Sequence, residues 1–179
     1  MVSSGLVNRI DVSHYRLSLH LVLAFIILCL ILWNYLKFNE INTSQKKIKN
    51  FIPITFLLLI FLQISIGAFV SGMDAGKIYN SWPLMGESYF PDNSLIVDIF
   101  KISVFNDPSL VQFIHRNLAY LIFLFYLFIL LKVYKNKLSD FFKVINILGL
   151  FLLLQIILGI LTLLSGAQMF FASLHQISS

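Results

Sequence analysis

Three histidines stand near the start of long apolar runs. VQFIHRNLAY (111–120) holds His115 beside Arg116, SLHLVLAF (18–25) holds His20, and ASLHQISS (172–179) holds His175. An ionisable side chain in hydrocarbon is costly, so a membrane helix that carries one needs a partner or a function for it. Imidazole is a common metal ligand. A single histidine near a membrane interface is more often a hydrogen-bonded structural residue than a ligand. Three in equivalent places shift the balance towards a metal or cofactor site inside a membrane bundle.

The elements that must position these residues follow from composition. Of 179 residues 59% are hydrophobic and only 12% charged, with a mean hydropathy of +0.88. Soluble domains carry about a quarter charged residues, so the chain is expected to be an integral membrane protein. The 18 phenylalanines suit lipid-facing surfaces and the packing of a planar aromatic ligand equally. A net charge of +5 could suggest nucleic acid, but the lysines sit in short loops beside apolar runs, where they set topology. No nucleic-acid partner is expected. The single cysteine, Cys29, lies in an apolar run and reads as a small buried hydrophobe, so any metal would be held by histidine. No secretory signal is evident, because Arg9 and Asp11 precede a first run long enough to span.

Taken in order, residues 17–36 form a first span of about 30 Å, with Trp33 and Tyr35 at its far end as an aromatic belt. Asp11 and Ser13 are candidate caps for its start. Lys37, Lys46, Lys47 and Lys49 against Glu40 mark the next loop as inner. Residues 52–71 return outward, with Pro53 tolerated in the first turn. The long outer loop, 72–110, holds five acidic residues and two lysines, the opposite balance. SLIVDIFKISVF within it suggests a short interfacial helix. Asp107 and Pro108 suit the cap and first position of the third span, 110–131, which runs inward to Lys132, Lys135, Lys137 and Lys143. A fourth span covers 144–164, and a further helix is expected from near Ser173. The fold class is therefore an all-α integral membrane bundle of four full transmembrane spans plus the start of a fifth.

The chain also repeats itself. LQISIGAFVSG (62–72) and LQIILGILTLLSG (154–166) each place Gln and Gly four apart, at Gln63/Gly67 and Gln155/Gly159, and each closes on Ser-Gly. Each precedes a His-bearing helix, which gives an internal two-fold repeat. Glycine on a membrane helix lets a neighbouring helix or a flat ligand approach closely. By the alternation of spans, His20, His115 and His175 share one depth, about two turns from the outer end. His115 and His175 occupy equivalent places in the two repeats, and two facing imidazoles can ligate one iron axially with a porphyrin between the helices. Zinc is less favoured, for lack of further ligands. His14 lies outside the apolar run and reads as interfacial. Arg16 and Arg116 could anchor to lipid phosphate, while an Arg beside an axial histidine would also suit a porphyrin carboxylate. For Arg116 the second reading is preferred, and Arg16 stays open.

The words VSHYRLSLHL, GAFVSGMDAGKIYNSWPLM, VQFIHRNLAY and ILTLLSGAQMFFASLHQ resemble the heme A synthase family, in the branch shared by mitochondria and proteobacteria. They span almost the whole chain. The resemblance implies an eight-helix enzyme of two four-helix bundles that oxidises the C8 methyl of heme O, through two hydroxylations, to the formyl of heme A. It implies haem b as cofactor and heme O as substrate. His115 and His175 match the axial pair of the second bundle, and His20 matches one ligand of the first, whose partner lies on an earlier helix. Asp74, Asn80 and Trp82 fall in the family's outer loop and are expected over the haem edge. Residues 1–50 then hold the last helix of the first bundle and an inner loop, and residues 51–179 the second, incomplete at its end. The chain accordingly reads as a fragment, inactive alone. Heme O synthase, an electron donor and a second copy of the chain are the partners to consider. The implied location is a bacterial plasma membrane or the mitochondrial inner membrane, with the histidines toward the periplasmic or intermembrane side.

Two other classes use the same residues. A bis-histidine electron carrier like a membrane cytochrome b would share the pair, but would not need so elaborate a polar outer loop. A structural or transport protein with incidental histidines would bind no haem. No side chain stands out as acid, base or nucleophile, which suits chemistry carried by a cofactor.

Overall fold

The computed structural model describes residues 13–38 and 48–178. Asp11, Glu40, Lys46 and Lys47 lie outside the described residues. Among the described residues five α-helices follow one another: α1 (His14–Phe38), α2 (Phe51–Gly72), α3 (Pro108–Lys135), α4 (Phe142–Leu164) and α5 (Met169–Ile177). Four helical segments among the described residues are long and apolar enough to cross a membrane. The protein is an all-α integral membrane bundle.

Their outward surfaces remain apolar, as for Leu23, Ile31 and Trp33 on α1 or Leu150 and Phe151 on α4. Lipid tails are as apolar as these side chains, so close packing rather than a hydrophobic drive must hold the helices together. The centre of that packing is α3, which buries Val111, Leu118, Ile122, Tyr126, Ile129 and Val133 at three-, four- and seven-residue spacing. At its outer half Val111, Leu118 and Ile122 pack with Ile66 of α2. At its inner half Tyr126, Ile129 and Val133 pack with Ile52 and Ile145. α2 lies along both α1 and α3, and α4 lies along α5.

Ser13 directly precedes α1, and its carbonyl accepts from the Leu17 N–H at 3.0 Å. Ser18 Oγ donates to the Ser65 carbonyl at 3.1 Å, which joins α1 to α2. α2 ends at Gly72 because α1 crosses there. A Cβ on Gly72 would stand 2.9 Å from Cα of His14. The His14 ring lies 5.3 Å from that of Phe69 and 4.4 Å from that of Tyr15, inside the α1–α2 contact.

The start of α3 matches its sequence signal. Asp107 Oδ1 accepts from the N–H groups of Ser109 (2.9 Å) and Leu110 (3.2 Å), with Pro108 in the first turn. Asp107→Ala should therefore cost about 1 kcal/mol, read as a lower midpoint in thermal unfolding in detergent.

Two elements differ from expectation. SLIVDIFKISVF forms two 3-10 turns, Ile96–Phe100 and Ile102–Asn106, separated at Lys101, whose φ of −91° and ψ of 146° are extended. Lys101 Nζ donates to Asp98 Oδ1 at 2.7 Å, and this bond, with that from the Leu95 N–H, holds the Asp98 carboxyl below the usual carboxylate range. The last helix starts at Met169, four residues before Ser173, because Gly166 and Ala167 (φ 70° and 59°) turn the chain sooner.

Candidate functional site

One end of the bundle gathers the start of α3, the ends of α2 and α4, the start of α5 and the loop between α2 and α3. His115 lies seven residues beyond Pro108, about 10 Å along α3, and His175 six beyond Met169, about 9 Å along α5. The two imidazoles therefore stand the same two turns into their helices.

Each ring rests on a glycine of the preceding helix. A Cβ on Gly67 would lie 3.2 Å from Cε1 of His115, and a Cβ on Gly159 would lie 3.1 Å from Cε1 of His175. The Gln-x-x-x-Gly repeat is thus also a repeat of contacts, with the bare backbone of one helix lying beside the imidazole on the next. In both rings Nδ1 is buried and has no hydrogen-bond partner. A buried polar atom without a partner costs about 1–3 kcal/mol, so two at equivalent places point to a missing acceptor or metal. α3 and α5 make no extended contact with each other, so the two rings are not packed together by their helices. Among the described residues no group of three or more His, Cys, Asp or Glu assembles.

His20 is not brought to this pair. Ser18 faces α2 and is buried, whereas His20, two residues and about 200° further round α1, is exposed. Arg16 is exposed as well.

Arg116 is committed to the backbone. Its Nη1 donates to the carbonyls of Ser81 (2.9 Å) and Leu84 (3.3 Å), and its Nη2 to that of Tyr79 (3.0 Å). Nε is buried and has no partner, which leaves one N–H edge for an anion. Gln112, one turn earlier, donates to the same Tyr79 carbonyl at 3.0 Å, and Tyr120, one turn later, accepts from Trp82 Nε1 at 2.9 Å. Tyr89 OH donates to Asn117 Oδ1 at 2.6 Å. One face of α3 therefore pins the outer loop as a cap. Gln112, Asn117 and Tyr120 escaped the sequence reading, although polar side chains three to five residues apart in an apolar helix were the available signal.

Asn80 and Trp82 belong to this cap. Asn80 Nδ2 donates to the carbonyls of Gly76 (2.9 Å) and Leu163 (3.0 Å), tying the loop to the end of α4. Asp74 turns the chain after α2 with a φ of 52° and pairs with Lys77 at 2.8 Å. Both partners are well exposed, so this bond contributes little to stability.

Loss of the Arg116 fork should loosen the cap selectively. Arg116→Ala removes three hydrogen bonds to the cap and leaves the Ser81 carbonyl without its donor, while the Tyr79 carbonyl keeps Gln112 and the Leu84 carbonyl keeps Ser81 Oγ. The cost is about 2 kcal/mol, or roughly thirtyfold more frequent opening. Faster amide hydrogen exchange across residues 78–88 is the expected readout. Arg116→Lys should rescue only part, since an ammonium lacks the planar fork.

The model of a family described as "Cytochrome oxidase assembly protein" matches residues 1–179. The chain belongs to that family. It is 49% identical over 179 residues to a "Heme A synthase" of Pelagibacter ubique, covering 100% of this chain and 53% of that protein. A "Heme A synthase" of Rickettsia felis is 37% identical over 185 residues, covering 99% and 54%. One from Wolbachia pipientis wMel is 38% identical over 184 residues, covering 100% and 51%. The chain spans about half the length of these relatives. No solved structure matches it.

Proposed function

We propose that the chain forms a haem-ligating part of a heme A synthase, which oxidises the C8 methyl of heme O to the formyl group of heme A. The observation that carries this is the repeated contact, Gly67 under His115 and Gly159 under His175, each ring with an unpaired buried Nδ1. It supports His115 and His175 as axial ligands, with haem b as the group held. Residues 51–179 then form the haem-binding bundle, and α1 belongs to the neighbouring one, where exposed His20 would serve a second haem. When bound, haem supplies the electron-transfer and oxygen chemistry that no side chain here offers.

The protein's own residues do the holding. Gly67 and Gly159 admit the rings, and α2 and α4 fix their depth. Arg116 keeps the cap over the outer end and has its Nε–H left for a haem propionate. The cap, with Asn80 and Trp82 in it, limits water at the site. The histidines lie toward the periplasmic or intermembrane side of a bacterial or mitochondrial inner membrane. Heme O synthase, an electron donor and a second copy of the chain are the partners this reading proposes.

The test is product analysis. Membranes containing the whole synthase of which this chain would form part, supplied with heme O and a reductant in air, are extracted and their haems separated. Heme A, absent from His115→Ala membranes, is the expected result. Bound haem without any heme A would instead favour an electron carrier.

A further inference from the structure

A loop stretched across the ends of two helices touches only their last turns. The segment 95–105 reaches further. With Leu62 and Ile66 of α2 and Ile114 of α3, its Ile99 and Phe105 bound a groove of about 370 Å³, whose lining is apolar apart from Lys101. Ile66 and Leu62 stand six and ten residues back from Gly72, about 9 and 15 Å, and Ile114 stands six residues beyond Pro108, about 9 Å. The segment therefore lies beside helical stretches that are long and apolar enough to cross a membrane.

Its outward side is apolar too. Phe100 is 86% and Ile102 90% exposed, and Leu95, Ile96 and Val97 are exposed beside them. A patch of this kind marks a membrane or a protein contact. Two observations favour lipid. On α2 the exposed Ile54, Leu58 and Leu62 follow at four-residue spacing and lead into the groove, and on α3 the exposed Phe128 and Leu121 lead at seven-residue spacing to Ile114. The apolar surface of the spans is thus continuous with the groove and the segment. The segment also pairs its own polar groups. Lys101 Nζ donates to Asp98 Oδ1 at 2.7 Å, and the N–H groups of Asp98, Lys101 and Val104 donate to the carbonyls of Leu95, Asp98 and Lys101. Charges and amides satisfied in this way lose little on leaving water.

We propose that the segment 95–105 lies in the boundary between lipid headgroups and acyl chains, and that the groove behind it holds an acyl chain of a bilayer lipid. Lipid tails are the apolar molecules that surround the spans at that depth, and an unfilled groove would forfeit the dispersion contacts of its lining. The inference goes beyond the haem reading and does not depend on it, since neither His115 nor His175 lines the groove.

Two measurements on the whole synthase of which this chain would form part test it. The first is native mass spectrometry of the protein released from phosphatidylcholine nanodiscs. Leu62→Trp fills the mouth of the groove and should carry one phosphatidylcholine fewer than the parent. Leu58→Trp, one turn away on the same stripe and outside the groove, should carry as many as the parent. Equal lipid counts in all three proteins, or an equal loss in both variants, would overturn the groove as a lipid site. The second is electron paramagnetic resonance of a nitroxide on Ile102→Cys, in phosphatidylcholine vesicles and in a background freed of other cysteines, Cys29→Ala included. Oxygen, which concentrates in the bilayer, should relax this label more than a water-soluble nickel chelate does, and a label on the exposed Glu87→Cys should show the reverse. A label on Ile102→Cys as open to the chelate as that on Glu87→Cys would place the segment in water. One shielded from both reagents would place it under another protein surface. Either result would overturn the inference and leave ligation by the histidines untouched.

Discussion

Leucine in place of Gly67 or Gly159 should strip haem from a protein that still carries both histidines. The Cβ positions already lie 3.2 Å from His115 and 3.1 Å from His175, closer than ordinary van der Waals contact. An alanine would need the ring to yield by a few tenths of an ångström. Leucine adds three further carbons in the volume the imidazole occupies, in a packed bundle that relaxes little. The ring must turn away, and its donor atom turns with it. Haem retained per protein should fall at least about tenfold, which corresponds to roughly 1.4 kcal/mol of lost ligation. The haem-to-protein absorbance ratio after purification measures it. Gly76→Ala is the matched control, because a Cβ there meets Ala167 at an ordinary 3.5 Å. Unchanged haem content in both leucine variants would mean that the rings do not sit on these glycines when haem is bound.

The second large effect lies at the other end of the bundle and should touch stability without touching ligation. Gly149 of α4 is buried against Tyr126 of α3, whose hydroxyl donates to the Ile145 carbonyl at 3.3 Å. A Cβ on Gly149 would overlap that hydroxyl and stand 2.6 Å from Cζ. The ring cannot step aside, since Tyr126 is packed among Ile52, Ile129, Val133 and Ile145. Gly149→Ala should therefore force α3 and α4 apart and destabilise the protein by about 1–3 kcal/mol or more. Thermal unfolding in detergent reads this directly. Adding Tyr126→Phe removes the worst overlap and should recover part of the loss, though the ring edge still crowds the new methyl. No recovery in the double variant would place the clash elsewhere.

Much of this architecture is legible in the chain because membrane helices are written in simple terms. Length and hydropathy give the spans, and Asp107–Pro108 marks the start of α3 by a side-chain bond and a missing N–H. The depth of the histidines follows from counting residues along helices. The Gln-x-x-x-Gly repeat is legible for the same reason, since any glycine four residues after a glutamine shares its face.

What is hidden depends on partners that sequence does not print. Arg116 looks like an anion ligand, yet its Nη atoms go to the carbonyls of Tyr79, Ser81 and Leu84, and every residue has a carbonyl. The crossing of His14 over Gly72 depends on the angle between α1 and α2, which hydropathy does not encode. SLIVDIFKISVF has helical composition, but its extended Lys101 breaks it into two turns. The early start of α5 reflects a turn through Gly166 and Ala167, where a positive φ at a non-glycine residue gives no warning.

The central claim is that His115 and His175 hold one haem between them. The most direct measurement is the absorption spectrum of the dithionite-reduced, purified protein beside His115→Ala and His175→Ala. The account predicts a low-spin haem band in the parent that either single substitution abolishes, because axial ligation from two sides fails when one side is lost. A band that survives both substitutions, or a parent protein with no haem band at all, would contradict it.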